Sequence, residues 1–247
     1  MLQSYEIFLY LCSMEWKIVH IDETDSTNRW LHEQGGGEDM VVWTDYQTAG
    51  RGCGANTWES ERGNNLLFSM LLHPANVPVK EQFHISMAVS LALCKMLSRY
   101  ADGFTIKWPN DIYWCDYKIC GMLIENRVQG GCIKDSIVGI GLNVNQKQFQ
   151  SDAPNPISLS QIIGHNFDRE RLLHEFLKCF EAVGEWNTLH TGYENHLFRL
   201  EEQAEYADET GRFRAAINGV DGDGRLVLTD ETGRKRHYAF KEVKFII

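Results

Sequence analysis

FTIKWPNDIYWCDYKICGMLIENRVQGGCIKDSIVGIGLNV, residues 104–144, carries four apolar runs in close succession. They are Phe104–Trp108, Asp111–Trp114, Lys118–Glu125 and Ser136–Val144, and no helical period separates one from the next. Strands joined by such short connections pair antiparallel, because a parallel return needs a crossover of about a dozen residues or more. Working outward, Asn65–Leu72 and Val41–Thr44 read as further strands, and Met14–Ile21 as an alternating first one. The insertion between Leu72 and Phe104 is a long helix over roughly Lys80 to Arg99, with Phe83, Met87, Leu91, Leu93, Met96 and Leu97 on its buried face. Consecutive strands with one inserted helix predict an α+β protein: an antiparallel or mixed sheet flanked by helices, not regular βαβ winding.

Ahead of the first connection, Asp22–Asn28 (DETDSTN) leads into a short helix through Arg29, Trp30 and Leu31 that stops at Gly35-Gly36-Gly37. Ser26 is the expected N-cap, leaving the first-turn N–H groups of Thr27 and Asn28 free. Towards the C-terminus Asp168 caps a helix with Leu172, Leu173, Phe176, Leu177, Phe180 and Val183 on one face, and a second helical stretch runs to about Leu200. From about Ala204 the pattern changes to short alternating runs separated by Asp221-Gly222-Asp223-Gly224 and Asp230-Glu231-Thr232-Gly233. Those are hairpin signals and suit a small β-barrel. The expected division is 1–13 as a dispensable extension, 14–203 as the main domain and 204–247 as the small barrel. The apolar run Ile7–Cys12 has no Lys or Arg before it and is shorter than the roughly 20 residues of a membrane span, so export is not expected and Met14 is an alternative start.

With 43% hydrophobic and 23% charged residues, the 247-residue chain can bury a sizeable core, which excludes disorder and coiled coil. Its net charge of −10 excludes a protein that coats nucleic acid or lies on an anionic membrane. Any anionic ligand must be held by a local cluster of cations. The seven cysteines form no C-x-x-C pair, so neither a disulfide framework nor a zinc site is indicated, and a reducing cytoplasm is the simplest compartment. Each cysteine except Cys53 reads as a small buried hydrophobe.

Four segments carry chemistry. Gln47-Thr48-Ala49-Gly50-Arg51-Gly52-Cys53-Gly54-Ala55-Asn56-Thr57-Trp58 sets a planar cation inside a glycine-rich loop that suits phosphate or carboxylate, although an ordinary glycine hairpin with an exposed Arg reads equally well. Lys107-Trp108-Pro109-Asn110-Asp111 brackets a turn whose Pro, Asn and Asp are common turn formers. Lys118-Ile119-Cys120-Gly121-Met122-Leu123-Ile124-Glu125 opens an apolar strand with a lysine and interrupts it with a glycine that permits close approach. Val138-Gly139-Ile140-Gly141-Leu142-Asn143-Val144-Asn145 repeats that opening with two glycines before two asparagines.

In this order, with Asp25-Ser26-Thr27-Asn28 ahead of them, these segments resemble the biotin protein ligase family: D-S-T-N, Q-x-A-G-R-G then Trp, K-W-P-N-D, K-x-x-G-x-L-x-E and G-I-G-x-N-V-N. The likeness runs motif by motif from Trp16 to about Asn145 and continues in layout to the C-terminus. It implies the fold of lipoate ligases and class II aminoacyl-tRNA synthetase cores, with an SH3-like barrel at the end. It also implies an activity: biotin and ATP give biotinyl-5′-adenylate and pyrophosphate, and the biotinyl group then passes to one lysine of a biotin carboxyl carrier protein. By similarity Ser26, Thr27, Asn28, Gln47, Gly50, Arg51, Lys118, Gly121 and Leu123 bind biotin. Arg51, Gly52, Cys53, Trp58, Lys107, Asn110, Lys118 and Asn143 bind nucleotide, with Trp58 and Trp108 as apolar walls. Arg51 and Lys118 are the implied catalytic cations beside Mg²⁺, whose ligands the sequence does not name, and Asp111 is the candidate base for the incoming amine.

Three further expectations follow from the resemblance. No nucleic acid or membrane is an expected partner, whereas a homodimer is open. A lipoate or octanoate ligase of the same fold is an alternative, and a biotin-responsive transcription regulator is disfavoured because only about fifteen residues precede the strand containing Ile18. Cys53 stands where many members of the family have Arg, so retention of the adenylate should lean on Arg51, Lys118 and ordering of the loop.

Overall fold

A computed structural model describes residues 16–34, 37–54, 56–74, 76–150, 155–183 and 186–247. The proposed extension, Met14, Gly35, Gly36 and Ala55 lie outside the described residues. The chain runs through β1 (Lys17–Thr24), α1 (Thr27–Gln34), β2 (Met40–Gln47), β3 (Leu66–Leu72), α2 (Phe83–Leu97), β4 (Phe104–Lys107), β5 (Asp111–Trp114), β6 (Tyr117–Gln129) and β7 (Cys132–Leu142). Helices α3 (Leu159–Ile163), α4 (Arg169–Glu181) and α5 (Trp186–Asn195) follow.

Strands β1 to β7 form one sheet in the order β1-β2-β3-β7-β6-β5-β4. The pairs from β2 onward are antiparallel, whereas β1 and β2 lie parallel, Ile18 opposite Val41. The sheet is therefore mixed, and α1 is the crossover that returns the chain in the same direction. Helix α2 packs on the sheet and is covered by α4 and α5. That double cover corrects the expected one-sided stripe: Phe83 and Leu91 are only partly buried, while Ile85, Ala88, Val89, Ala92 and Cys94 are fully inside.

Some boundaries also moved. β4 ends at Lys107, because Pro109, two residues on, has no N–H to give a ladder. β6 and β7 extend past the expected Glu125 and begin before Ser136, making a long hairpin closed by Gly130 and Gly131 at φ 62° and 81°. The polar residues Asn126, Arg127 and Gln129 hid the alternation, although Gly-Gly between strands is itself a hairpin signal. Cys94, Cys120 and Cys179 are buried as expected, but Cys132 is half-buried and Cys115 is exposed at φ 50° in the β5–β6 turn.

Strands β8 (Gln203–Asp208), β9 (Gly211–Val220), β10 (Leu226–Asp230), β11 (Lys235–Tyr238) and β12 (Lys244–Phe245) make a second, antiparallel sheet in the order β11-β10-β9-β8-β12. No ladder joins β11 to β12 among the described residues, so the expected barrel is an open five-stranded sheet. It docks through the β9–β10 turn, where Gly224, at φ 78°, lies under Phe83 of α2 and accepts a 2.9 Å hydrogen bond from Trp108 Nε1. A Cβ on Gly224 would stand 2.6 Å from Phe83 Cβ, so a side chain there would push the sheets apart. Among the described residues no helix is long and apolar enough to cross a membrane.

Candidate active site

A cavity of about 880 Å³ opens over the ends of β6 and β7 and reaches up to the second sheet. Its floor comes from alternate residues of two paired strands, Gly121 opposite Gly141 and Leu123 opposite Gly139. Gly121 and Gly141 matter because the Trp58 indole lies directly on them. A Cβ on Gly141 would stand 2.6 Å from Trp58 Nε1, and one on Gly121 would stand 2.9 Å from Cζ3. Trp58 Nε1 is buried and has no hydrogen-bond partner among the described residues. An orphaned buried donor is costly unless something else meets it, and a ligand acceptor would do so.

The two arms of the glycine loop pair with each other, Trp58 N donating to Gly50 O (3.0 Å) and Gly52 N to Asn56 O (2.8 Å). Gly50 thus belongs to the stem of the loop and is not one of the residues lining the cavity, whereas Arg51, Gly52, Cys53 and Trp58 are. Opposite the loop, the start of α1 supplies a buried polar end. Gln47 Oε1 accepts from Thr27 N (2.9 Å) and Thr27 Oγ1 (3.1 Å), so its Nε2 is left for a ligand. Ser69 Oγ lies 2.6 Å from Thr27 Oγ1 and donates to Asn28 Oδ1, also at 2.6 Å. Asn28 Nδ2 in turn donates to Glu125 Oε2 (2.7 Å). Ser26 precedes α1 as expected, but among the described residues its side chain makes no capping hydrogen bond; the residue is 4% exposed and lines the cavity. The carboxylate of Asp25, accepting from Ser26 N at 2.6 Å, does the holding there.

The cations stand along the same floor. Arg51 Nη2 lies 3.0 Å and 3.2 Å from the two carboxylate oxygens of Glu125. Lys118 Nζ is 2.8 Å from Asp111 Oδ1 and 5.8 Å from the centre of the Trp58 ring. Lys107 is half-buried between Tyr113 and Phe245, 5.4 Å and 4.6 Å from their ring centres; burial lowers its pKa, opposed by Asp111. Lys241 and Lys244 reach the cavity from the second sheet, with the Lys241 ammonium over Gly54 of the loop. Two expected residues are occupied structurally: Asn110 Nδ2 donates to Met122 O (2.6 Å) and to Cys53 Sγ (3.1 Å), and Asn143 Nδ2 to Ile157 O (3.1 Å). Burial raises the Cys53 thiol pKa, so this side chain is a neutral filler. Trp108 also lines the cavity, but its polar edge is spent on Gly224.

The sequence reading did not find Ser69, Glu125, Lys241 or Lys244. A signal existed for Ser69, the one hydroxyl in the seven-residue apolar strand LLFSMLL. The lysines come from a segment far away in sequence and had none. Among the described residues, a separate group of possible metal ligands, His20, Asp22 and Asp45, lies on β1 and β2 outside the cavity lining. Arg169 already occupies Asp45 at 2.6 Å, which opposes a second cation there.

The profile of the Biotin/lipoate A/B protein ligase family matches residues 21–143. The bifunctional ligase/repressor BirA of Bacillus spizizenii is 29% identical over 237 residues, spanning 90% of this chain and 72% of that protein. The biotin–[acetyl-CoA-carboxylase] ligase of Paracoccus denitrificans is 26% identical over 228 residues, spanning 86% and 94%. Among solved structures, biotin protein ligase from Aquifex aeolicus in complex with biotin and ATP superposes with a TM-score of 0.78 at 25% identity, covering 93% of this chain and 99% of that one.

Proposed function

The chain belongs to the biotin/lipoate A/B protein ligase family, and on that footing we propose that it is an ATP-dependent biotin ligase acting on a lysine of a biotin carboxyl carrier protein or domain. The observation that carries this reading is one cavity in which Arg51 and Lys118 face a glycine floor and a buried amide-and-hydroxyl end. An acid and a nucleotide that must meet as two anions need that pairing of local cations with close backbone approach. In the first step a biotin carboxylate oxygen attacks the α-phosphorus of ATP and the bond to pyrophosphate breaks. Ser26, Thr27, Asn28 and Gln47 would hold the ureido ring, Gly121 and Leu123 would support the rest of biotin, and Gly50 would let the loop close. Arg51 and Lys118 would gather the reacting charges. Gly52, Cys53, Trp58, Lys107, Asn110 and Asn143 would surround the nucleotide, whose acceptors could satisfy the Trp58 indole N–H. Mg²⁺ would arrive on the ATP phosphates, where Glu59 and Asp111 are the carboxylates in the cavity lining.

In the second step the lysine nitrogen attacks the anhydride carbonyl, the C–O bond to AMP breaks, and the amine proton goes to Asp111. We assign the catalytic unit to 14–203 and the small unit to 204–247, and the reaction to the cytoplasm, where ATP is available. Incubation with labelled biotin, ATP, Mg²⁺ and a carrier domain should put label on one lysine. Label from lipoate and none from biotin would overturn the reading in favour of the other ligase class.

Two variants probe finer roles. Asp111→Asn should slow transfer from preformed biotinyl-adenylate most at neutral pH and least at high pH, since a lysine amine with pKa near 10.4 then loses its proton unaided. Transfer undiminished across the whole pH range would remove Asp111 as the base. Cys53→Arg should slow release of biotinyl-adenylate, because a neutral filler becomes a cation beside the phosphate. Stopped-flow release at an unchanged rate would show that Lys241 and Arg51 already saturate that contact.

A further inference from the structure

Glu125 closes the K-x-x-G-x-L-x-E segment, and neither sequence reading nor the proposed chemistry gives it work. It lies two residues beyond Leu123 and four beyond Gly121, so all three side-chain positions share the cavity face of β6. Its carboxylate joins β6 to two other elements: Arg51 Nη2 from the glycine loop at 3.0 Å and 3.2 Å, and Asn28 Nδ2 at 2.7 Å and His32 Nε2 at 3.7 Å from α1. Asn28 is 3% exposed and fixed by Ser69, which also touches Thr27, itself bonded to Gln47. One line of close polar contacts thus runs from the proposed ureido end, through Glu125, to Arg51.

The guanidinium spends only Nη2 on this carboxylate; Nε and Nη1 donate to no group among the described residues. A planar fork held at one corner presents its other donors in a fixed direction, which a freely rotating Arg does not. We propose that Glu125 is a positioning residue of the adenylation step, fixing Arg51 by one corner so that Nε and Nη1 face the substrate carboxylate and α-phosphate. The same network makes the orientation of Arg51 depend on the biotin end being correctly formed. This inference rests on the ligase reading.

The test is a comparison of adenylate formation, followed by biotin-dependent pyrophosphate exchange, in the full chain, Glu125→Gln and Glu125→Asp. Glutamine keeps an acceptor for Asn28 but cannot hold the guanidinium as an ion pair. The expected result is a fall in kcat of roughly 10- to 100-fold in Glu125→Gln, the range seen when the partner that orients a working ligand is removed. KM for biotin should change by less than about threefold, Glu125→Asp should recover part of the loss, and the melting temperature should stay near that of the parent. Placed on Arg51→Ala, Glu125→Gln should cost almost nothing more, since its effect passes through that side chain. An unchanged kcat in Glu125→Gln, or an equal loss with and without Arg51, would overturn the proposal. Absence of exchange in the parent chain would strike the ligase reading itself, so the two failures are distinct.

Discussion

Lys118→Ala should lower the rate of biotinyl-adenylate formation by about 10²- to 10³-fold, or about 2.7–4 kcal/mol, the cost of deleting one preorganised charge-stabilising donor. The size follows from the setting. Lys118 and Asp111 are 22% and 21% exposed, and the ammonium lies beside the Trp58 ring, not in open water. A cation placed so, on a strand, is strongly coupled to charge that gathers in the cavity and little screened by salt. The substitution also leaves the Asp111 carboxylate half-buried without its partner, so transfer from supplied adenylate should suffer as well. Lys118→Arg should restore little, because a planar fork cannot take the place of a compact ammonium wedged between Asp111 and Gly121. Pyrophosphate exchange reads the first loss directly, and an Ala variant within tenfold of the parent would remove Lys118 from the step.

The second large effect is expected at a glycine with no charge at all. A Cβ on Gly139 would stand 2.9 Å from Asn28 Cγ and closer still to Oδ1. Asn28 cannot give way cheaply, since Ser69 and Glu125 hold both ends of its amide. Gly139→Ala should therefore cost about 1–3 kcal/mol of stability, the range for overpacking a filled interior, or a few degrees to about 10 °C in melting temperature for a chain of this size. The remaining folded protein should bind biotin poorly, because relief of the clash displaces Asn28 and with it the line to Thr27 and Gln47. Gly222→Ala is the control: nothing lies within 4 Å of its added carbon, and its stability should stay within about 0.5 kcal/mol of the parent. Calorimetry on the pair, with and without biotin, decides the point; equal melting temperatures would mean that Asn28 is less firmly held than its bonds suggest.

Different parts of this site were legible in the sequence to different degrees. Glycines and charged residues interrupting apolar strands stand out because they break a local pattern, and so the loop at Gly50–Trp58, the turn at Lys107–Asp111 and the floor at Gly121 and Gly141 could be read from neighbours alone. The partners of those residues could not. Glu125 looks like an ordinary polar strand end until the fold brings Arg51 and Asn28 to it across three elements. Lys241 and Lys244 reach the cavity only through docking of the second sheet, which hangs on Gly224 and Trp108. The barrel was expected from alternation and turn residues, which fix strands but not whether the last edge closes. The parallel β1–β2 pair had a cue in the helix between them, but alternation within a strand carries no information about direction.

Side chains from the two sheets belong to a single apolar cluster: Phe68, Ile106 and Val138 on one side continue into Tyr206, Ile217 and Leu228 on the other. A boundary drawn in the sequence near Ala204 is therefore not a seam in the interior. Heat or denaturant should take the whole chain apart in one cooperative transition, with the far-ultraviolet signal and tryptophan emission changing together. Chains cut at that boundary would expose freshly opened core on both pieces and tend to aggregate, so function and solubility would be lost in the same cut.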